Sequence, residues 1–309
     1  MAGQRHPQRS VHRNPEWRRR GSRLPRSAAG AAHRLRPLRT FPHMSATTER
    51  KRYPAGHWSQ WPVSEESVDA HLRLATDVYQ RTKFDVFGRL VGRDLRGQRV
   101  LDYGGGAGIL AVRCAELGAQ VTLLDPEPNS LGIARLLARR RGVSERLETV
   151  RAESVTSSVA GRRYDLVVLM DVIEHLPDDG AVLRAVARCQ DPGDRLFIST
   201  QNSLSLNYLL EGTYHRKWLR EEHWCGWDPT HVRFYRPGSL RRRLAQAGYR
   251  PTRWWGTFIV PYNILSWLVL LRRKIERSSL HKLDLALGGL FPFNRLGWSL
   301  MVLAERARA

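Results

Sequence analysis

The segment from Asp102 to Gly108 (DYGGGAG) is the first part of the chain whose residue types and spacing suit binding chemistry. Glycines let the backbone bend sharply and approach a ligand closely. The glycines alone are a weak signal, because Gly106 to Ala111 (GAGILA) also satisfies the dinucleotide-binding pattern GxGxxG/A. The acidic residues around the turn are therefore needed to decide which ligand it fits.

Two acids lie at the ends of the strands that flank this turn. Asp102 stands directly before the glycines, where a carboxylate would repel a pyrophosphate but would suit a ligand with an ammonium group. Asp125 follows Gly106 by 19 residues, at the end of a second apolar run, where an acid can accept hydrogen bonds from ribose hydroxyls. The pair favours a positively charged nucleoside ligand over a dinucleotide.

Residues 171–178 (DVIEHLPD) follow the fourth of the predicted strands and contain Asp171, Glu174 and His175. A carboxylate or an imidazole there could act as a base or contribute to a metal site. His231, in the segment 228–235 (DPTHVRFY), is a second candidate base, because imidazole changes charge near neutral pH. A structural hydrogen bond to its loop is the alternative role for His231.

The elements that must position these residues are short apolar strands separated by helices. The sequence predicts strands at 99–102, 120–124, 147–151, 164–170, 195–200, 249–260 and 298–305, and helices at 109–117, 128–141, 180–189 and 237–247. Strands without polar alternation predict a mostly parallel sheet covered on both faces, which is a doubly wound α/β fold. Ser64 is the expected N-cap of one or two earlier helices that end near Gly92.

The glycine turn, the acid after the second strand and the DVIEHLPD segment together resemble the class I S-adenosylmethionine-dependent methyltransferases, over residues 95–260 and the final strand. The resemblance implies a Rossmann-like, seven-stranded sheet of order 3-2-1-4-5-7-6 with strand 7 antiparallel. It implies S-adenosyl-L-methionine as the cofactor, with the ribose on Asp125 and the amino group facing Asp102. The other residues that it places at the cofactor are Gly104, Gly106, Gly108, Asp171 and, near the adenine amine, Glu153.

The activity implied is methyl transfer from a sulfonium, which needs mainly correct positioning of the reactants. An oxygen acceptor must also lose its proton, and we predict His231, Glu174 and His175 as the catalytic residues. The ubiquinone-biosynthesis O-methyltransferases have a similar E-x-x-E-H arrangement associated with magnesium, which here would be Asp171, Glu174 and His175. We favour a helix-capping motif beside the cofactor and predict no metal. A zinc site built from His223, Cys225 and His231 lacks a recognised spacing.

The positive charge of the chain is unevenly distributed. The sequence carries 51 Lys and Arg against 29 Asp and Glu, a net charge of +22, and residues 1–43 alone hold eleven Arg and one acid. That segment cannot build a core, so we predict a disordered, dispensable arm, with Met44 as an alternative start. Three cysteines without a CxxC pair favour a reducing compartment and a cytoplasmic location.

Beyond the arm, the predicted organisation is a helical lid at 44–94, the cofactor-binding domain at 95–260, an insertion at 261–297, and a last strand and tail at 298–309. The insertion joins an apolar block at 264–271 (ILSWLVLL) to Arg272, Arg273 and Lys274. Such a segment fits a helix in an anionic membrane interface, with Trp267 at the headgroup boundary, and is too short to span. A helix buried against the domain is the alternative.

The sequence thus predicts a methyltransferase for a small, apolar or lipid-like acceptor, acting at oxygen and associated peripherally with membranes. The net charge raises RNA methylation as an alternative, but no appended RNA-binding fold is visible and much of the charge lies in the arm, so nucleic acid is not an expected partner. A non-catalytic S-adenosylmethionine-binding protein is a third interpretation, and the intact glycines and strand-end acids speak against it.

Overall fold

The computed structural model describes residues 57–152, 159, 161–221, 224, 228, 230–260 and 277–308, without the side chains of 277–279. Several sequence-based predictions lie outside the described residues. They concern the arm at 1–43, Glu153, the residues His223 and Cys225 of the zinc alternative, and the apolar and basic part of the insertion at 261–276.

The described residues form a seven-stranded sheet of order β3-β2-β1-β4-β5-β7-β6. Only β7 runs against its neighbours β5 and β6, and the other adjacent pairs are parallel. The strands are β1 (Arg99–Tyr103), β2 (Gln120–Asp125), β3 (Leu147–Arg151), β4 (Leu166–Met170), β5 (Arg195–Gln201), β6 (Tyr249–Thr257) and β7 (Ser299–Arg306). Both the predicted strand order and the antiparallel last strand are confirmed.

Helices cover both faces of this sheet, as the predicted fold class requires. They are α1 (Glu65–Thr76), α2 (Val78–Val91), α3 (Ile109–Glu116), α4 (Pro128–Arg140), α5 (Asp179–Ala187), α6 (Leu206–Thr213), α7 (Pro237–Gln246), α8 (Arg277–Leu287) and α9 (Phe293–Leu296). On β1, Val100 joins the core on one face and Leu101 the core on the other, and both are fully buried. Apolar side chains at successive positions are therefore needed, which explains the absence of polar alternation.

The helices before β1 begin and end where their capping residues predict. The hydroxyl of Ser64 accepts a hydrogen bond from the backbone N–H of Ser67 at 3.2 Å, which caps α1. Gly92 follows α2 with a φ of 109°, a left-handed value that glycine adopts without strain. Because α2 packs against β6 and α8, it lies on the side of the sheet that ends in the edge strand β6.

Strand β6 ends at Thr257, three residues before the predicted end at Val260. The buried carboxylate of Asp284 accepts the backbone N–H groups of Phe258 and Ile259, at 2.9 and 3.1 Å. Those donors are therefore not available for continued strand pairing, and Phe258 itself has a φ of 56°. Asp284 lies on α8, whose contact with this strand end the local pattern does not reveal.

The chain after β5 also contains structure that the sequence pattern did not predict. Helix α6 continues into a π-helical turn, Tyr214–Trp218, and α8 and α9 occupy the part of the insertion that the structure describes. No helix within the described residues has the length and hydropathy required to cross a membrane.

Candidate active site at the carboxyl ends of the strands

The glycine turn between β1 and α3 has a backbone conformation that side chains disfavour. Gly104, Gly106 and Gly108 have φ values of 72°, 56° and 73°. A Cβ atom on Gly108 would lie 2.6 Å from the Cβ of Ala134 on α4, so only glycine fits there. The turn therefore brings bare backbone to the N-terminus of α3, where N–H groups can approach a ligand closely.

Asp125, at the end of β2, ties this turn to the neighbouring strand. Its carboxylate accepts the backbone N–H of Gly106 at 3.0 Å and that of Glu127 at 2.9 Å. A carboxylate has two oxygens with two lone pairs each, which is the acceptor chemistry that ribose hydroxyls require. The predicted ribose acid thus lies directly against the glycine turn.

Asp102 lies beneath the same turn and is only 2% exposed. Its Oδ2 has no hydrogen-bond partner among the described residues. Burial, together with the nearby charge of Asp125, raises the pKa of Asp102 to about 7. A buried carboxyl group with an unsatisfied oxygen fits a positively charged ligand, because an ammonium group would stabilise the ionised form.

Trp58 covers the glycine turn from the N-terminal side. A Cβ atom on Gly106 would lie 3.0 Å from the Trp58 ring, which is the distance of a tight contact. Trp58 is itself 38% exposed, so the ring forms an outer wall of the turn. Movement of this segment as a lid stays a prediction.

Asp171, directly after β4, is held by two side chains from other elements. Its carboxylate contacts the ammonium group of Lys83 on α2 and accepts a hydrogen bond from Ser199 of β5 at 2.7 Å. Burial opposes ionisation, but Lys83 and Ser199 outweigh it and lower the pKa of Asp171. Its φ of 55° is unusual for a non-glycine residue, and the two partners fix that conformation.

Glu174 is fully buried three residues further on. Its Oε2 accepts a hydrogen bond from Thr200 at 2.9 Å, whereas Oε1 has no partner among the described residues. Burial and the neighbouring Asp171 raise the pKa of Glu174 to about 8. This carboxyl group is therefore mostly protonated at neutral pH and can donate a hydrogen bond.

The loop that carries His231 is joined to this strand end through its backbone and its side chains. The N–H of Val232 donates to the carbonyl oxygen of Glu174 at 2.9 Å. The Thr230 hydroxyl lies 2.9 Å from Nδ1 of His175 and 2.6 Å from a carboxylate oxygen of Asp228. These contacts bring together two parts of the chain that are more than 50 residues apart in sequence.

His231 is 7% exposed, and its ring centroid lies 4.7 Å from that of His175. Its Nε2 lies 3.9 Å from Oδ2 of Asp228. Burial, and then the neighbouring His175, lower the pKa of His231 to about 4, although Asp228 opposes the shift. The imidazole is thus neutral at physiological pH, the form that can accept a proton.

Three predicted catalytic residues are therefore brought together, and their spacing also bears on metal binding. Ligand atoms of Glu174, His175 and His231 all lie within 4.8 Å of one another. They are close enough for one divalent ion to contact all three. The ligand set implied by the resemblance fits less well, because both oxygens of Asp171 already have partners. The capping part of the motif is Asp178, whose carboxylate accepts the N–H of Ala181 at 2.8 Å at the start of α5.

Sequence reasoning missed Lys83, Ser199 and Thr230 as parts of this site. Lys83 lies in an amphipathic helix, where a lysine is normally a solvent-facing residue, so no local signal marked it. Thr230 directly precedes the predicted His231, so the segment 228–231 (DPTH) was the one feature of the sequence that could have indicated its role.

Seven strands in this order, with an antiparallel β7 and a glycine turn backed by Asp125, are the architecture of the class I S-adenosylmethionine-dependent methyltransferase fold. A family profile described as a methyltransferase domain matches residues 75–253, and the chain belongs to that family. Its cofactor is S-adenosyl-L-methionine.

Similar sequences include two ubiquinone biosynthesis O-methyltransferases. That of Aeromonas salmonicida is 43% identical over 116 residues, which cover 38% of this chain and 48% of the relative. That of Bordetella avium is 36% identical over 162 residues, covering 51% and 64%. The chain thus spans less than two thirds of the length of either relative.

Among solved structures, an S-adenosylmethionine-dependent methyltransferase from Mesorhizobium loti has a TM-score of 0.50 at 19% identity, covering 74% of this chain and all of that one. The [4+2]-cyclase SpnF also has a TM-score of 0.50, at 17% identity, covering 75% and 82%. Likeness at this level supports the fold. The reaction must be argued from the site.

Proposed function

We propose that this protein transfers the methyl group of S-adenosyl-L-methionine to a hydroxyl oxygen of a small, apolar or lipid-like acceptor, with His231 as the general base. The observation that carries the proposal is a buried imidazole beside Asp228, at the edge of the sheet where the cofactor turn lies. Similarity to enzymes named ubiquinone biosynthesis O-methyltransferases supports oxygen as the acceptor atom.

In the proposed step, a lone pair of the acceptor oxygen attacks the methyl carbon as the bond from that carbon to sulfur breaks. The sulfonium becomes the neutral thioether S-adenosylhomocysteine, and the hydroxyl proton passes to His231. Because the sulfonium is a good leaving group, in-line positioning and removal of the proton are the main tasks of the protein. Asp228 would stabilise the imidazolium that forms.

His175 and Glu174 support this base rather than replace it. Thr230 has one hydroxyl proton, and its short bond to Asp228 uses it, so Nδ1 of His175 donates to Thr230. Nε2 of His175 then carries the lone pair, and His175 supports the base by holding Thr230, the residue directly before His231. Glu174 is too deeply buried to reach an acceptor, and its backbone carbonyl oxygen holds the His231 loop by accepting the N–H of Val232.

The surface next to His231 supports an apolar acceptor delivered from a membrane. Tyr208 of α6 packs on Phe234, whose ring lies 5.7 Å from that of His231. On the outer side of α6 and the π-helical turn, a stripe of large apolar side chains is 40–77% exposed: Leu206, Leu209, Leu210, Tyr214 and Trp218. We name this set the α6 stripe.

The spacing of the α6 stripe is that of one helix face, but that face is directed away from the core. Lys217 and Arg220, next to Trp218, are exposed and add positive charge. An apolar stripe beside basic residues fits the interface of an anionic bilayer. This surface is distinct from the predicted membrane segment at 264–274, which lies outside the described residues.

The proposal is tested by incubating the protein with methyl-labelled S-adenosylmethionine and separate lipid, small-molecule and RNA fractions of an extract of its host cells. Label in an ether-linked methyl group of a lipid or apolar small molecule is the expected result. Label in RNA, or on a nitrogen or carbon atom of the product, would contradict it.

A further inference from the structure

Lys83 is a buried cation in a site where the sequence motifs placed only acids and imidazoles. The residue is 7% exposed and lies in the middle of α2, 88 positions before its partner Asp171. A lysine is rarely buried to this degree, and burial of an ammonium group is unfavourable unless a carboxylate compensates it. The contact with Asp171 provides that compensation.

The charge of Lys83 acts on more than Asp171. Asp171 raises the pKa of the buried Glu174 and Lys83 opposes this effect, so these three groups lie within electrostatic reach of one another. The positive charge of Lys83 also contributes to lowering the pKa of His231. The strand end therefore has two carboxyl groups from one short segment and one resident positive charge supplied by a distant helix.

This arrangement departs from the magnesium-associated motif that the sequence resembles. In that motif the first acidic residue would be a ligand, but here Oδ2 of Asp171 contacts the ammonium group of Lys83 and Oδ1 accepts the Ser199 hydroxyl. The remaining candidate ligands are Glu174, His175 and His231. An ion bound by them would lie close to a fixed positive charge, which disfavours binding of a second cation.

We propose that Lys83 is the built-in counter-cation of this active site, occupying with its ammonium group the position on Asp171 that a divalent ion would otherwise take. This rests on the proposed function and adds that methyl transfer by this chain needs no divalent metal. Lys83 is a positioning residue, since it acts through Asp171. Lys83 holds Asp171 at a φ of 55° and thereby also fixes the next residue, Val172. The Val172 side chain lies against the glycine turn, since a Cβ atom added to Gly104 would be 3.0 Å from it.

The experiment is a titration of the full-length protein, saturated with S-adenosylmethionine and stripped with EDTA, with Mn²⁺ followed by electron paramagnetic resonance. The unmodified protein is expected to bind no stoichiometric Mn²⁺ at micromolar concentrations. Lys83→Met, of similar length but uncharged, should gain one Mn²⁺ site at least about tenfold tighter than any site in the unmodified protein. Lys83→Arg keeps the charge and should not gain it.

Micromolar Mn²⁺ binding by the unmodified protein, or no gain in a folded Lys83→Met variant, would overturn the proposal. A thermal melt and the affinity for S-adenosylmethionine report whether the variant folds. If Lys83→Met does not fold, the titration of the unmodified protein decides the question alone. Neither readout needs an acceptor, so failure to find a methylated oxygen product would count against the proposed function and not against this inference.

Discussion

The hydroxyl of Thr230 lies 2.9 Å from Nδ1 of His175 and joins a loop residue to the end of β4. Because the Thr230 proton is donated to Asp228, this contact fixes which nitrogen of His175 carries hydrogen. Two loops that are far apart in sequence thus share one proton arrangement. The relationship connects the conformation of the His231 loop to the chemistry of the site.

Replacement of Thr230 by Val should remove this control of the His175 tautomer without changing the shape of the side chain. The loss of a net hydrogen bond of about 1 kcal/mol predicts a methyl-transfer rate lower by about fivefold. Thr230→Ser is the matched control and should retain most of the rate. Equal rates for the Val variant and the unmodified protein would contradict the assigned tautomer.

Asp125→Ala should weaken binding of S-adenosylmethionine by about 1–3 kcal/mol, because it leaves polar partners unpaired. Part of the effect comes from the glycine turn, since the N–H of Gly106 also loses its acceptor. Isothermal titration calorimetry measures the change, and Glu127→Ala, two positions further along the chain, is a control with little expected effect. Preferential binding of NAD by the unmodified protein would refute the cofactor-site interpretation.

Cofactor affinity should depend on pH through Asp102. Its pKa is raised to about 7 in the folded protein without ligand, so the carboxyl group is mostly protonated at pH 6 and mostly ionised at pH 8. A cationic amino group prefers the ionised form, and affinity for S-adenosylmethionine should therefore rise with pH across this range. Asp102→Asn should abolish the rise, and an unchanged pH profile in that variant would show that another group is responsible.

The ionisation of Asp102 should also affect the stability of the cofactor-free protein, but in the opposite direction: stability should fall as the pH rises. A carboxyl whose folded pKa lies above its unfolded value of 3.8 binds more protons in the folded state between those two values. Its contribution to stability is complete below pH 3.8 and is lost as the pH rises through about 7. The stability of Asp102→Asn minus that of the unmodified protein should therefore be larger at pH 8 than at pH 5. Thermal melts of both proteins at the two pH values measure this difference.

The sequence predicted those features that local pattern controls. The carboxyl ends of β1 to β5, the glycine turn and the acids Asp102 and Asp125 follow from residue type and spacing, and the sheet order follows from the family resemblance. Lys83 and Thr230 could not be predicted, because their roles arise from contacts with residues 88 and 55 positions away. The α6 stripe was missed for another reason, since periodic apolar residues normally face the core and here they face outward.

The α6 stripe should bind anionic vesicles. Trp218→Asp together with Leu210→Asp should reduce co-sedimentation with phosphatidylglycerol vesicles, because both side chains are exposed and add apolar area to the interface. Neither change buries a charge, so the melting temperature should be retained. Leu74→Asp, at a 46% exposed position on α1, is the matched control and should bind vesicles normally. Unchanged vesicle binding by the double variant would exclude the stripe as the membrane contact.

The rate of label transfer by His231→Gln, compared with that of the unmodified protein on the same apolar fraction, tests the central claim most directly. Glutamine retains a polar side chain but cannot take up the acceptor proton. Since a positioned general base contributes about 10² to 10⁴ in rate, we predict a loss of at least about 10²-fold with unchanged affinity for S-adenosylmethionine. A variant that transfers methyl groups at the rate of the unmodified protein would contradict the assignment of His231 as the base.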